Sequence, residues 1–155
     1  MFHVWAAGIV IADQLTKIIL RGALAPDRPV TVIPGFFDLR LSHNTGAAFG
    51  MLPNLAPLFM IIAVVALFAI VKLRVAGPDS RALSIGLGLL MGGALGNLID
   101  RLTSPDRAVT DFLSFHAGRY EWPAFNLADA AIVVGALMTF FYVYVVQKRG
   151  DGVGH

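Results

Sequence analysis

The chain has no cysteine among its 155 residues. That excludes disulfides, thiolate nucleophiles and cysteine-built metal sites. Charge is also scarce, with Asp, Glu, Lys and Arg together only 14% of residues and a formal net charge of +2. So small an excess gives no electrostatic footprint for nucleic acid, and none is expected as a partner. Histidine is sparse and scattered: His3 and His155 are terminal, and His43 and His116 fall in different connections. Neither a metal nor an organic cofactor is expected. A cleavable signal peptide is also not expected. The first apolar stretch has no basic leader, and Asp13, Thr16 and Lys17 stand where an apolar core should continue.

What fills the space is hydrophobic. Apolar residues make up 57% of the chain, and the mean hydropathy is +0.73. A soluble domain of this length needs far more polar surface. Four stretches approach the ~20 residues of a spanning helix: about 2–20, 55–71, 82–99 and 125–146. The expected fold is therefore an all-α membrane protein of four transmembrane helices, forming a single domain over 1–155, with a disordered tail at 150–155. Val30 to Ile33 is β-branched, Pro34-Gly35 is a turn pair, and Asp38 to Ser42 alternates polar and apolar. This predicts a small β-hairpin or sheet between helices 1 and 2, lying on the membrane surface with Phe36, Phe37 and Phe49 toward the headgroups. The second long connection carries Phe112, Phe115, Tyr120 and Trp122, a composition suited to the interface.

The few polar motifs are not scattered. Asp13 and Lys17 are late in helix 1, and N-T-G-A-A-F (Asn44 to Phe49) is late in the first long connection. Asn97, Asp100 and Arg101 end helix 3, V-T-D-F carries Asp111, and F-N-L-A-D carries Asn126 and Asp129 at the start of helix 4. In an up-down bundle all of these fall toward one membrane face. An intramembrane charge costs roughly 2.5–3.5 kcal/mol at a helix centre, so such residues pair or work. Asp13 and Lys17 at i and i+4 are in the favourable order for an ion pair. They read equally as a structural pair or as support for a site. Gly88, Gly92 and Gly96 make a small-residue face that reads as helix packing. Asn97, Asp100 and Arg101 read as site support or substrate binding rather than a helix end, because a buried amide needs partners. Asn44 alone reads as a turn residue. Asp111 and Asp129 are the candidate pair: two carboxyls able to share one proton are the core of aspartic-protease chemistry. A proton-coupled transporter would instead place its acids near mid-membrane, often with repeat symmetry. A non-catalytic scaffold would leave the acids unexplained.

Taken together, D-Q-L-T-K (Asp13 to Lys17), N-T-G-A-A-F, G-G-A-L-G-N-L-I-D-R (Gly92 to Arg101), V-T-D-F and F-N-L-A-D resemble, in order, the motifs of the lipoprotein signal peptidases, or signal peptidase II. The resemblance covers nearly the whole chain. It implies a bacterial inner-membrane aspartic endopeptidase of four helices that cuts prolipoproteins just before a diacylglyceryl-modified cysteine. Asp111 and Asp129 are then the catalytic pair. Asn44, Gly46, Asn97, Asp100, Arg101 and Asn126 form the surrounding substrate-binding or supporting shell, with Asp13 and Lys17 a supporting pair. The implied partners are the lipidated prolipoprotein and membrane lipids, for a protein read as a monomer. The implied placement has cytoplasmic termini and an extracytoplasmic site. One departure is the missing basic residues before helix 1. The Lys and Arg count also runs against this orientation, since Lys17, Arg21, Arg28, Arg40, Arg101, Arg107 and Arg119 lie on the site face.

Overall fold

A computed structural model describes residues 1–26, 28–46 and 55–151, with side chains to 146. Four helices dominate: α1 (Phe2–Ala23), α2 (Ala56–Ala76), α3 (Arg81–Thr103) and α4 (Leu127–Asp151). All four are long and apolar enough to cross a bilayer. Each runs beyond the span read from hydropathy, because the closing turns carry polar residues that a hydropathy reading discounts. Arg21 ends α1, Arg74 ends α2 and Arg101 ends α3, where a cation complements the helix dipole. α4 continues through Asp151, so the first two residues of the expected tail are helical. Residues 152–155 lie outside the described residues.

α3 is the hub, packed against α1, α2 and α4. Its span is 61% buried, against 11–17% for the other three. Glycine makes this possible. A Cβ on Gly88 would stand 2.8 Å from the Phe2 carbonyl oxygen, and one on Gly92 would stand 2.7 Å from that of Ala6. α1 and α3 therefore meet backbone to backbone, as the small-residue face predicts. Phe2, Ala6, Ile70, Leu83, Leu87 and Met91 form the apolar core. Ile11, Ile18, Phe68, Val75 and Phe140 are exposed outward, which is the arrangement lipid favours.

The expected placement of the sheet between helices 1 and 2 needs correction. The sheet has four antiparallel strands in the order β1-β2-β3-β4, where β1 is Val30–Ile33, β2 Phe37–Asn44, β3 Val109–Ala117 and β4 Tyr120–Phe125. Half of it therefore comes from the connection between α3 and α4. The composition of that half alone suggests an interfacial loop, because aromatic residues suit both an interface and a strand. Phe37, Phe115 and Phe125 stack across β2, β3 and β4, with ring centroids 4.6 and 5.8 Å apart. Gly35 and Gly118, at φ +75° and +60°, supply the turns. Phe36 is exposed and Phe37 half-buried; Phe49 lies outside the described residues. The pairing of β2 with β3 fixes the site: Ser42 faces Asp111, and Asn44 faces Val109.

Candidate functional site

Two strands and the ends of two helices contribute six polar groups to a single cluster. β3 carries Asp111 and β2 carries Asn44. α3 carries Asn97 and Arg101, and the start of α4 carries Asn126 and Asp129. The cluster heads a cavity of about 990 Å³. Asn44, Asn97, Arg101, Asp111 and Asp129 form its polar end. Its walls are apolar: Phe59, Ile62 and Ile70 of α2, Leu90 of α3, Ile132 and Val133 of α4, and Phe115, Trp122 and Phe125 of the sheet. A second, polar pocket of about 230 Å³ shares Asn44 and Asp111 and reaches Arg40, Ser42 and His43. Asp111 thus stands between an apolar cleft and a polar one.

Asn126 joins the two candidate carboxylates. Its Nδ2 donates to Asp111 Oδ1 at 2.7 Å, and its backbone N–H donates to Asp129 Oδ2 at 3.2 Å. Its Oδ1 accepts from the Asp129 backbone N–H at 2.9 Å, closing a capping box at the first turn of α4. Asn44 Nδ2 donates to the other oxygen of Asp111 at 3.1 Å, and Asn97 Nδ2 to the other oxygen of Asp129 at 2.7 Å. Gly46 N–H donates to Asn44 Oδ1 at 3.0 Å, which orients the Asn44 amide. Arg101 reaches back to the Gly46 carbonyl at 3.0 Å and ties this turn to α3. Asp111 is 2% exposed. Burial, and then the charge of Asp129, push its carboxyl up to about 7, against the lowering effect of Asn44 and Asn126.

Behind this layer lies a second, ionic one. Lys17 is fully buried and donates to Asp13 Oδ2 at 2.9 Å and Asn97 Oδ1 at 3.2 Å, and it pairs with Asp100 Oδ2 at 3.0 Å. Asp13 Oδ1 accepts from the Ala128 backbone N–H at 3.0 Å, which pins α1 to the start of α4. Asp100 accepts from Thr110 N–H at 3.0 Å and pairs with Arg21 at 3.2 Å. Removing one member of such a buried set leaves an uncompensated charge and costs about 3–5 kcal/mol. The i, i+3, i+4 cluster of α3 therefore divides: Asn97 and Arg101 face the cavity, and Asp100 faces the ionic layer.

All the candidate residues from the sequence fall in these two layers. The sequence reading passed over three more. Gln14 Nε2 lies 3.1 Å from Asp13 Oδ2 and 3.2 Å from Asp100 Oδ1. Arg21 donates to Thr110 Oγ1 at 2.6 Å, and Thr110 receives it. The signal for Gln14 and Thr110 was their place inside D-Q-L-T-K and V-T-D-F. Arg21 stands one turn beyond Lys17 on the same helix face. Thr16 bonds back to its own helix, at the Ala12 and Asp13 carbonyls. Among the described residues, no group of three or more His, Asp or Glu side chains is placed to hold a metal ion.

This arrangement has counterparts. The profile of the signal peptidase (SPase) II family matches residues 5–145. The chain belongs to the signal peptidase II family. It is 46% identical over 144 residues to the lipoprotein signal peptidase of Oleidesulfovibrio alaskensis, covering 90% of this chain and 91% of that one. To that of Symbiobacterium thermophilum it is 41% identical, covering 91% and 92%. A solved bacterial membrane enzyme at 2.3 Å resolution superposes with a TM-score of 0.82 at 30% identity, over 96% of this chain and 88% of that one. A second, at 1.9 Å resolution, gives 0.78 at 31% identity over 90% of each. As a member of this family, the chain is a peptidase, a hydrolase and a multi-pass bacterial membrane protein.

Proposed function

We propose that the chain is a single-domain aspartic endopeptidase that removes signal peptides from diacylglyceryl-modified prolipoproteins, cutting just before the lipidated cysteine. The observation that carries this reading is Asn126 holding Asp111 and Asp129 together at the head of an apolar cavity. Two buried carboxyls so linked hold one proton between them near neutral pH. The ionised member takes a proton from a water molecule, and that water attacks the scissile carbonyl. The protonated member polarises the carbonyl and then protonates the leaving amine. Arg101 has a buried Nε at the cavity wall without a hydrogen-bond partner among the described residues, a donor the substrate can use. Chemistry of this kind calls for neither metal nor organic cofactor.

The cavity walls favour a lipidated substrate. Acyl chains gain about 0.8 kcal/mol per buried methylene, and their entry from the bilayer needs no passage through water. The sheet stands beside the cut site and limits water there. We place the termini in the cytoplasm and the carboxylates outside it, and we read the enzyme as acting as a monomer among membrane lipids.

The test is cleavage of a diacylglyceryl-modified prolipoprotein peptide by purified protein. Asp111→Asn and Asp129→Asn should each abolish turnover while leaving a folded protein. An otherwise identical peptide without the diacylglycerol should be a poor substrate. Substantial turnover by either variant sinks the carboxylate pair, and equal turnover of both peptides sinks the lipid requirement.

A further inference from the structure

The oxygen and nitrogen of the Asn97 amide are not free to exchange places. Asn97 Oδ1 accepts from Lys17 Nζ at 3.2 Å and from Asn126 Nδ2 at 3.1 Å. An ammonium has donors only, so the Asn97 oxygen must face it. The Asn97 nitrogen is thereby forced outward, and it donates to Asp129 Oδ1 at 2.7 Å. The Lys17 ammonium is held by Asp13, Asp100 and Asn97 together.

We propose that Lys17 is a positioning residue that acts through Asn97 to make Asp129 the ionised carboxylate, and hence the base, with Asp111 the proton carrier. The proposal rests on the aspartic reading above. Asp129 receives two fixed donors, the locked Asn97 amide and the Asn126 backbone N–H in the first turn of α4, where the helix dipole also favours an anion. Asp111 is on a strand and has no such dipole. Among the described residues it receives two side-chain amides, and it is the more deeply buried of the two carboxyls, which favours its neutral form. The charged groups in the two layers are Asp13, Lys17 and Arg21 on α1, Asp100 and Arg101 on α3, Asp111 on β3 and Asp129 itself on α4. Among them Lys17 is the cation that bonds directly to the amide holding Asp129.

The readout is the pH profile of kcat on the lipidated peptide. A base that must be ionised sets the acid limb, and a proton carrier sets the alkaline limb. Asn97→Asp keeps an oxygen for Lys17 but replaces the donating nitrogen with an acceptor facing Asp129. It should move the acid limb upward by about one pH unit or more, through the lost hydrogen bond and the new like charge beside Asp129. Lys17→Met should move the acid limb in the same direction. In an Asn97→Ala background, Lys17→Met should add nothing, because the amide through which it acts is gone. Equal shifts from Lys17→Met in both backgrounds overturn the relay in favour of a direct field. A loss of turnover uniform across pH overturns it in favour of a purely structural role. If Lys17→Met does not fold in detergent, Asn97→Asp decides alone: an unmoved acid limb refutes the proposal. The outcomes remain separable from the reading beneath them, which fails only if Asp111→Asn or Asp129→Asn retains turnover.

Discussion

Asn126 and Asp129 close a reciprocal ring at the start of α4, each side chain accepting from the other's backbone N–H, at 2.9 and 3.2 Å. The same Asn126 amide then reaches Asp111 Oδ1 at 2.7 Å. A helix cap and the spacing of two candidate catalytic groups are thus one structure. The helix needs Asn126 for its unpaired N–H groups, and the nitrogen left over reaches Asp111.

The two duties separate by mutation. Asn126→Ser keeps a capping oxygen but has no nitrogen for Asp111. Asn126→Ala loses both. The alanine variant should be less stable than the serine variant by about 1 kcal/mol, the usual worth of an N-cap. Both should lose about 100-fold in kcat, as expected when a reacting group loses its orientation. Thermal unfolding in detergent and turnover of the lipidated peptide measure the two effects. A serine variant with near-normal kcat would show that Asn126 serves only the helix.

The carboxyl of Asp111 gives a pH prediction whose sign is fixed. It is raised from an ordinary 3.8 to about 7. Between those values the folded chain holds this proton more firmly than the unfolded chain does. The stability it contributes is complete below the unfolded value and is lost as pH rises through about 7. Wild-type protein should therefore lose stability between about pH 4 and about pH 7 and change little from this group above that, and Asp111→Asn should lose less. Turnover should fall as pH rises above about 7, as the proton carrier empties. Thermal unfolding from about pH 4 to about pH 8, and kcat from about pH 6 to about pH 9, are the measurements. A flat stability profile for the wild type, or turnover still rising past about pH 8, contradicts the assignment.

How much of this was legible in the sequence follows from the range of each interaction. The four helices are a property of local hydropathy, and so was the Asp13–Lys17 pair, set by a spacing of one helical turn. The gathering of Asn44, Asn97, Arg101, Asn126 and Asp129 on one face followed from the alternating direction of the helices. The β2–β3 pairing was not legible. It joins Asn44 to a strand 65 residues later, Val109, and nothing local in either strand names its partner. Gln14 was passed over for a different reason. An amide beside Asp13 carries no charge pattern, and only the close approach of α1 and α3 brings it to Asp100. Thr110 was read as part of a motif around its acidic neighbour, whereas its own hydroxyl and backbone N–H hold Arg21 and Asp100.

The orientation of the bundle makes the last prediction. Lys and Arg counts favour cytoplasmic placement of the site face, yet several of its cations are already committed. Lys17 pairs with Asp13 and Asp100, Arg21 with Asp100, and Arg40 with Glu121. Arg101 points into the cavity. Cations so held contribute little to the field that orients a nascent helix. On the other face Arg74 is likewise held, by Asp79, which leaves Arg28, Arg107 and Arg119 against Lys72, Arg81, Lys148 and Arg149. We therefore expect the sheet and the carboxylates outside the cytoplasm, where a translocated prolipoprotein presents its cut site. The absence of native cysteine makes the test clean. Arg119→Cys sits at the exposed turn between β3 and β4, and Asp79→Cys at the α2–α3 connection, where the side chain is 96% exposed. In intact cells with a permeable outer envelope, a membrane-impermeant maleimide should label Arg119→Cys and should reach Asp79→Cys only after the inner membrane is opened. The reverse pattern would put Asp111 and Asp129 in the cytoplasm and remove prolipoprotein processing as their task.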